Sequence, residues 1–300
     1  MDTTKHIPVL LHEVLQYLDL QPGDNVIDGT LGGGGHAEAI LERTGPHGKY
    51  LGVDVDEEAI ARARVRLKRF GVRVTLTQGN FRNLKTIRDT HFPYPVHVVL
   101  LDLGTSRDQI FDARRGFSFI ADGPLDMRLG GKGDASTVSA RELVNQAPEA
   151  ELARIIRKYG EERYASAIAH SIVVSREHTP LETTQELVSC IFSALPHARR
   201  VGRVHPATRT FQSLRIAVNQ ELESLEEALP QMAGLLESRG RGAVITFHSL
   251  EDRIVKHWGI GMSRKNMLQA VYKKPVIAST AEQKANPASR SAKLRVYEKI

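Results

Sequence analysis

The densest group of residues able to do chemistry lies between positions 28 and 102. Asp28-Gly29-Thr30-Leu31-Gly32-Gly33-Gly34-Gly35-His36 stands between a short apolar run, Asn25 to Asp28, and a helix-forming run from about His36 to Arg43. Glycines there permit positive φ and let backbone approach a ligand with no Cβ in the way. Twenty residues after Gly34, a second apolar run, Lys49 to Val55, carries Asp54 near its end. A carboxylate at that spacing accepts hydrogen bonds from ribose hydroxyls. A glycine loop alone could be a tight turn. Strand, loop, helix and carboxylate together point to an adenosine-bearing cofactor.

Two cofactors compete for that loop. Gly32-x-Gly34-x-x-Ala37 satisfies the dinucleotide fingerprint, which keeps NAD in play. The third strand, however, leads into Gly79-Asn80-Phe81, where an aromatic ring can cover an adenine, and the fourth ends in Asp102-Leu103-Gly104. Contacts spread over four successive strand ends suit S-adenosylmethionine better than a dinucleotide. Phe81 taken by itself reads as ordinary core packing.

The elements that must position these residues alternate. Glu57 to Phe70 has the pattern of an amphipathic helix and Val72 to Gln78 that of a strand. Val96 to Leu103 is almost continuously apolar, as a strand buried on both faces should be. Strands alternating with helices predict an α/β fold with a parallel, doubly wound sheet. The rhythm breaks at Arg107 to Lys132, and Ser139 to Ala194 is helical in pattern. Helical character resumes from Thr208 to Leu236, Arg241 to His248 supplies the next buried strand, and Lys293 to Lys299 alternates as a last one. The expected organisation is a sheet domain formed by 1–106 and 208–300, with an inserted helical domain at 107–207.

Composition narrows the setting. The 41 Lys and Arg against 35 Asp and Glu give a net charge of +6. His197 to Arg215 holds Arg199, Arg200, Arg203, Arg209 and Arg215 with no acid, and Met262 to Ile300 holds nine Lys or Arg against Glu282 and Glu298. Such runs are usually solvated surface; two of them beside a nucleotide-type fold point to phosphate contacts. The single cysteine, Cys190, excludes an internal disulfide and a multi-cysteine metal site, and no metal is assigned. No apolar run approaches the roughly 18 residues of a membrane span, and the first residues have neither a secretory nor a transit pattern. A cytoplasmic protein with no membrane partner is expected.

Longer motifs carry a resemblance: DGTLGGGGH at 28–36, RGFSF at 115–119, DGPLDMR at 122–128, GEERYA at 160–165, HPATRTFQSLRI at 205–216, FHSLEDRIVK at 247–256 and NPASRSAKLR at 286–295. Together, from His6 to the end, the chain resembles the family of bacterial small-subunit ribosomal RNA methyltransferases that act on cytosine N4 in the decoding region. The resemblance implies a Rossmann-like, S-adenosylmethionine-dependent methyltransferase domain with a helical insertion. It implies cofactor contacts at Gly34, Gly35, His36, Asp54, Phe81, Asp102 and Gln109, and 16S ribosomal RNA within the small ribosomal subunit as partner. Departures from the family pattern fall at Thr105-Ser106-Arg107, where a pair of serines is usual, at Leu129-Gly130, at Ala288, and between Trp258 and Tyr272, which is short. They bear on substrate positioning and leave the cofactor positions intact.

Methylating an exocyclic amine needs a proton acceptor near the sulfonium methyl. Asp102 and Ser106 are the expected acceptor surface, with His248 and Ser249, after the fifth strand, orienting the base or relaying the proton. His248 reads equally well as a strand-end histidine satisfied by backbone. Ring-carbon methylation would need a cysteine nucleophile, and Cys190 sits in a buried-helix pattern, Glu186 to Phe192, where a thiol is inert. Three other readings stay open: a nicotinamide-dependent oxidoreductase, an RNA-binding assembly factor that keeps the fold without activity, and an N-methyltransferase of another substrate, including DNA. A homodimer is open as well.

Overall fold

The computed structural model describes residues 8–131, 137–199 and 205–300. Lys132, and Arg200 and Arg203 of the first basic run, lie outside them. The chain divides into two compact units, 1–104 with 222–300, and 105–221.

The first unit is built by the alternation. Its elements run α1 (Leu11–Leu18), β1 (Val26–Asp28), α2 (Gly35–Arg43), β2 (Tyr50–Asp54), α3 (Glu57–Arg66), β3 (Val74–Gln78), α4 (Leu84–His91) and β4 (Val96–Asp102). The second unit carries α5 (Arg107–Phe111), α6 (Ala140–Gln146), α7 (Glu149–Gly160), α8 (Ala165–His178), α9 (Thr184–Ala194) and α10 (Thr208–Asn219). The chain then returns to the sheet through α11 (Glu221–Leu235), β5 (Leu236–Thr246), α12 (Ser249–Arg264), β6 (Leu268–Ala270), β7 (Val276–Ile277), α13 (Thr280–Ala285) and β8 (Lys293–Lys299).

The sheet order is β3-β2-β1-β4-β5-β8-β6, with β7 paired to β8. The first five strands are parallel, whereas β8 is antiparallel to β5, β6 and β7. The parallel expectation therefore holds for the half that carries the glycine loop, and the sheet as a whole is mixed. Period-two alternation sends side chains to two cores. Val98 and Leu100 of β4, Val26 of β1 and Ile245 of β5 pack with α1, α2 and α3. Val99 and Leu101, Ile27 and Val244 pack with α4, α11 and α12 on the other face. The inner parallel strands β2, β1, β4 and β5 are thus apolar on both sides, while the edge strand β3 is apolar on one, and the parallel strand ends gather at one edge, where ligands of doubly wound sheets bind.

Local chemistry sets the helix starts. Asp56 caps α3 by accepting from Glu58 N, with Glu57 and Glu58 in the first turn and Arg64 and Arg66 in the last, matching the helix dipole. The expected helix to Phe70 stops earlier, because Gly71 at φ 55 turns the chain into β3. Strand β5 begins five residues before the expected Arg241. Its front half, Glu237 to Arg239, is charged and exposed, and a register shift in its pairing with β4 hides the strand signal.

Helix α10, expected with the sheet, belongs to the helical unit. The reason lies at Gly160, where a Cβ would stand 2.7 Å from Arg209 O, so the end of α7 and the start of α10 are in close backbone contact. Asn219 Nδ2 adds a bond to Met127 O at 2.8 Å. Backbone crowding also explains two motif glycines of this unit. A Cβ on Gly116 would meet Pro124 O at 2.1 Å, and one on Gly123 would meet Ala113 O at 1.9 Å.

Candidate functional site

The glycine loop leaves β1 and is held from below. Asp28 at the strand end is buried, accepts the Tyr50 hydroxyl at 2.6 Å, and accepts Thr30 N and Oγ1 at 3.0 and 3.3 Å. Burial pushes the Asp28 carboxyl up, against the opposing pull of the Tyr50 hydroxyl bond. Burial, with the carboxylate beside it, pushes the Tyr50 phenol well above its ordinary value. Thr30 Oγ1 in turn accepts Asp102 N–H at 2.6 Å, tying the end of β4 to the loop. The sequence alone singles out none of Asp28, Tyr50 and Thr30. Asp28 opens the motif, but its partners come from neighbouring strands.

Asp54 closes the loop from the side of β2. Its two oxygens accept Gly32 N at 2.7 Å and Asp56 N at 2.9 Å. Burial raises its carboxyl to about 6, opposed by those two backbone donors. Each oxygen keeps a second lone pair for a hydroxyl donor. The glycines of the loop have separate reasons. Gly32 and Gly34 sit at φ 52 and φ 77. Gly29 has no room, since a Cβ would lie 2.6 Å from Leu101 Cδ2 and 3.0 Å from Phe81 Cβ. Gly33 has neither cause: its φ is not positive, and among the described residues nothing lies within 4 Å of where its Cβ would be.

His36 and Asp102 face each other across the loop, Nε2 to Oδ2 at 3.5 Å, with side chains 7% and 22% exposed. His36 Nδ1 and Nε2 and Asp102 Oδ1 are buried and have no hydrogen-bond partner among the described residues. Leaving such atoms unpaired costs about 1–3 kcal/mol each. They meet the expected fit for a polar ligand seated on the loop. Phe81, in the turn after β3, is half-buried against the core beneath α4 and lies beside Gly29. It packs, as the simpler reading held, and it borders the loop.

The other candidates are used differently. His248 precedes α12 and caps it, with Nδ1 accepting Glu251 N at 3.4 Å. Glu251 Oε2 accepts Phe247 N at 2.8 Å and His248 N at 3.2 Å, and its Oε1 lies 3.2 Å from His248 Nε2. His248 is thus held by its own helix start through Nδ1, while its Nε2 is buried without a hydrogen-bond partner among the described residues, and Ser249 beside it is exposed. Glu251, buried in this pair, escapes sequence reasoning because a capping box opened by histidine has no familiar sequence signal. Ser106 and Gln109 stand in the helical unit and form the capping box of α5: Ser106 N donates to Gln109 Oε1 at 3.0 Å and Gln109 N to Ser106 Oγ at 3.2 Å. Arg107 is exposed and stacks over Phe111, 5.6 Å from its ring centre.

The basic runs divide in the same way. Arg215 is spent internally on Glu221, with two bonds at 2.8 and 2.9 Å. Phe211 and Leu214 are buried, as expected. In the tail, Lys293 and Arg295 both pair with Asp252, at 2.9 and 2.8 Å, while Arg264, Lys265, Lys273, Lys274, Lys284 and Arg290 are exposed. Among the described residues no helix is long and apolar enough to cross a membrane.

A doubly wound sheet whose glycine loop carries unpaired buried polar atoms defines a nucleotide-cofactor protein. Similarity to known proteins specifies which. Residues 3–300 match the model of the MraW methylase family, and the chain belongs to that family. It is 49% identical over 315 residues to the ribosomal RNA small subunit methyltransferase H of a Geobacter strain, covering 100% of both chains. It is 46% identical to the protein of that name from Heliobacterium modesticaldum, covering 98% of each. Membership in a methylase family removes the nicotinamide reading of the loop.

The structure yields one direct test of the loop. Gly33→Val is expected to leave the melting temperature nearly unchanged, since nothing surrounds its Cβ position, while weakening cofactor binding about tenfold or more, a loss of about 1.4 kcal/mol. Isothermal titration beside a thermal melt checks it. A large stability loss, or unchanged affinity, would contradict a ligand at Gly33.

Proposed function

We propose that the protein transfers a methyl group from S-adenosylmethionine to the N4 amine of a cytosine in the decoding region of small-subunit (16S) ribosomal RNA. The observation that carries the reading is the unpaired His36–Asp102 couple on a glycine loop anchored by Asp54, in a chain of a methylase family. When bound, S-adenosylmethionine supplies an electrophilic methyl on a sulfonium.

The protein's own residues do the rest. Asp54 would accept the ribose hydroxyls with its remaining lone pairs, Gly33 and Gly34 would admit the cofactor against the backbone, and Phe81 would border the adenine. The cytosine amine is a weak nucleophile because its lone pair is conjugated into the ring, so its attack requires alignment and removal of a proton. Asp102 is the acceptor at the mouth of the sheet and His36 its polar neighbour. His248 and Ser249, after β5, are the orienting groups of this unit, and the helical unit, 105–221, with Ser106 and Gln109 at its start, serves as the substrate-recognition domain. The relatives are named for small-subunit ribosomal RNA, which supports both the RNA assignment and a cytoplasmic setting. A homodimer is compatible with this reading.

Ring-carbon methylation is disfavoured. Cys190 is buried in α9 and burial pushes its thiol up, away from the thiolate that such chemistry needs. Cys190→Ser is expected to retain full methyl transfer; an inactive but folded variant would reopen the cysteine route. The reading as a whole is tested by incubating the protein with tritium-labelled S-adenosylmethionine and small ribosomal subunits from cells lacking the gene. Label entering the RNA is expected. Label confined to protein, or none despite cofactor binding, would overturn it.

A further inference from the structure

Two sequence motifs that the cofactor site does not use, GEERYA and HPATRTF, meet in the helical unit. The close backbone approach at Gly160 brings the turn after α7 against the turn before α10. Between them opens a cleft of about 220 Å³ lined by Glu162, Arg163, Tyr164, Leu195, Arg199, His205, Pro206 and Arg209. That is below the roughly 300–1,000 Å³ of small-molecule sites, and it is the scale of a single charged group.

The lining is built for an anion. Three arginines face one glutamate, and that glutamate is occupied: Glu162 Oε1 accepts Tyr164 N at 2.9 Å, while Oε2 stands 3.9 Å from Arg209. Arg209 is aimed by a second bond, donated to Glu161 O at 3.1 Å, from a residue held at φ 49. Arg163 and Arg199 are exposed, and neither forms an ion pair among the described residues. His205 is fixed by stacking on Phe119, ring centres 4.4 Å apart and 9° from parallel. Its Nδ1 accepts Ala207 N at 3.2 Å, which leaves Nε2 as the protonated donor of the neutral ring. Helices α8 and α10, 14 and 12 residues long, both start at this cleft without a side-chain cap, adding two positive dipole ends to the arginines.

We infer that this cleft binds a backbone phosphate of the substrate RNA. The assignment rests on the RNA reading proposed above. Forked guanidinium groups and helix starts recognise phosphate oxygens without reading sequence. Bound there, the RNA gains affinity that does not depend on the methyl-transfer step.

The test is the double variant R163A/R199A, two exposed side chains whose loss leaves the packing intact, with R163K/R199K beside it. Binding of a fluorescein-labelled decoding-region fragment is followed against salt, and methyl transfer is measured on the same RNA and on whole small subunits. The expected result is a KM for RNA at least about tenfold higher with kcat within about twofold. The salt slope should fall by roughly 0.7–0.9, the value for one phosphate that is no longer neutralised, with partial rescue by lysine and unchanged affinity for S-adenosylmethionine. An unchanged KM and slope in a wild-type background that methylates RNA would overturn the cleft assignment. So would a defect seen only with assembled subunits, which would make the cleft a protein-binding surface. If wild type itself transfers no label to RNA, the methyl-transfer reading fails, and the salt slope still decides the cleft.

Discussion

Asp102→Ala is expected to lower kcat by roughly 10²–10⁴-fold, the range for a positioned acid–base group and about 3–5 kcal/mol of barrier. The substitution removes only the side chain. Asp102 N–H still donates to Thr30 Oγ1, and Thr30 still rests on Asp28, so the loop keeps its shape. What is lost is the carboxylate whose Oδ1 has no partner among the described residues and whose Oδ2 faces His36 at 3.5 Å. Cofactor affinity should change far less than turnover. Single-turnover kinetics with saturating cofactor, together with titration of S-adenosylmethionine, separates the two. Near-normal turnover in the alanine variant would remove Asp102 from the chemistry.

Asp54→Ala is expected to weaken cofactor binding by about 10²-fold or more, near 3 kcal/mol, with turnover failing as a consequence. Two losses add: the acceptor for the ribose, and the acceptor that holds Gly32 N and Asp56 N in place. The same carboxyl makes binding pH-dependent. Its value in the folded protein is about 6, above the ordinary 3.8, because burial disfavours the charged form. Between those two values the folded protein holds a proton that the unfolded chain has released, so this group's contribution to stability falls as pH rises through the window. Cofactor binding runs the opposite way, since ribose hydroxyls need the ionised carboxylate. Affinity should therefore drop toward tenfold per pH unit below about 6 and be flat above about 7. The Asp54→Asn variant should lose that dependence. A wild-type profile that stays flat to pH 5, measured on folded protein, would show that Asp54 does not receive the cofactor as its ionised form.

What is legible in the chain beforehand is what is local. The glycine run, the apolar strands at 26–28, 50–54 and 96–102, and the helical stretch from 139 to 194 announce themselves by composition and periodicity. The cross-strand bonds do not. Asp28–Tyr50 spans 22 positions and Thr30–Asp102 spans 72, and only strand order makes them neighbours. Strands β6 and β7, three and two residues long, carry too few alternating positions to be seen. Gly116 and Gly123 look like motif glycines and prove to be demanded by carbonyls of their own unit. Ser106 shows the converse: its serine-x-x-glutamine spacing to Gln109 is a plain helix-cap pattern, masked by its place just after the fourth strand. The charge runs cannot reveal that Arg215 and Arg295 are already paired inside the fold.

The central claim, methylation of a cytosine amine, is tested most directly by digesting the labelled small-subunit RNA to nucleosides and identifying the product chromatographically. The account predicts label in N4-methylcytidine, present with wild-type protein and with Cys190→Ser and absent with Asp102→Ala. Label in a ring-methylated pyrimidine or in a purine would contradict it.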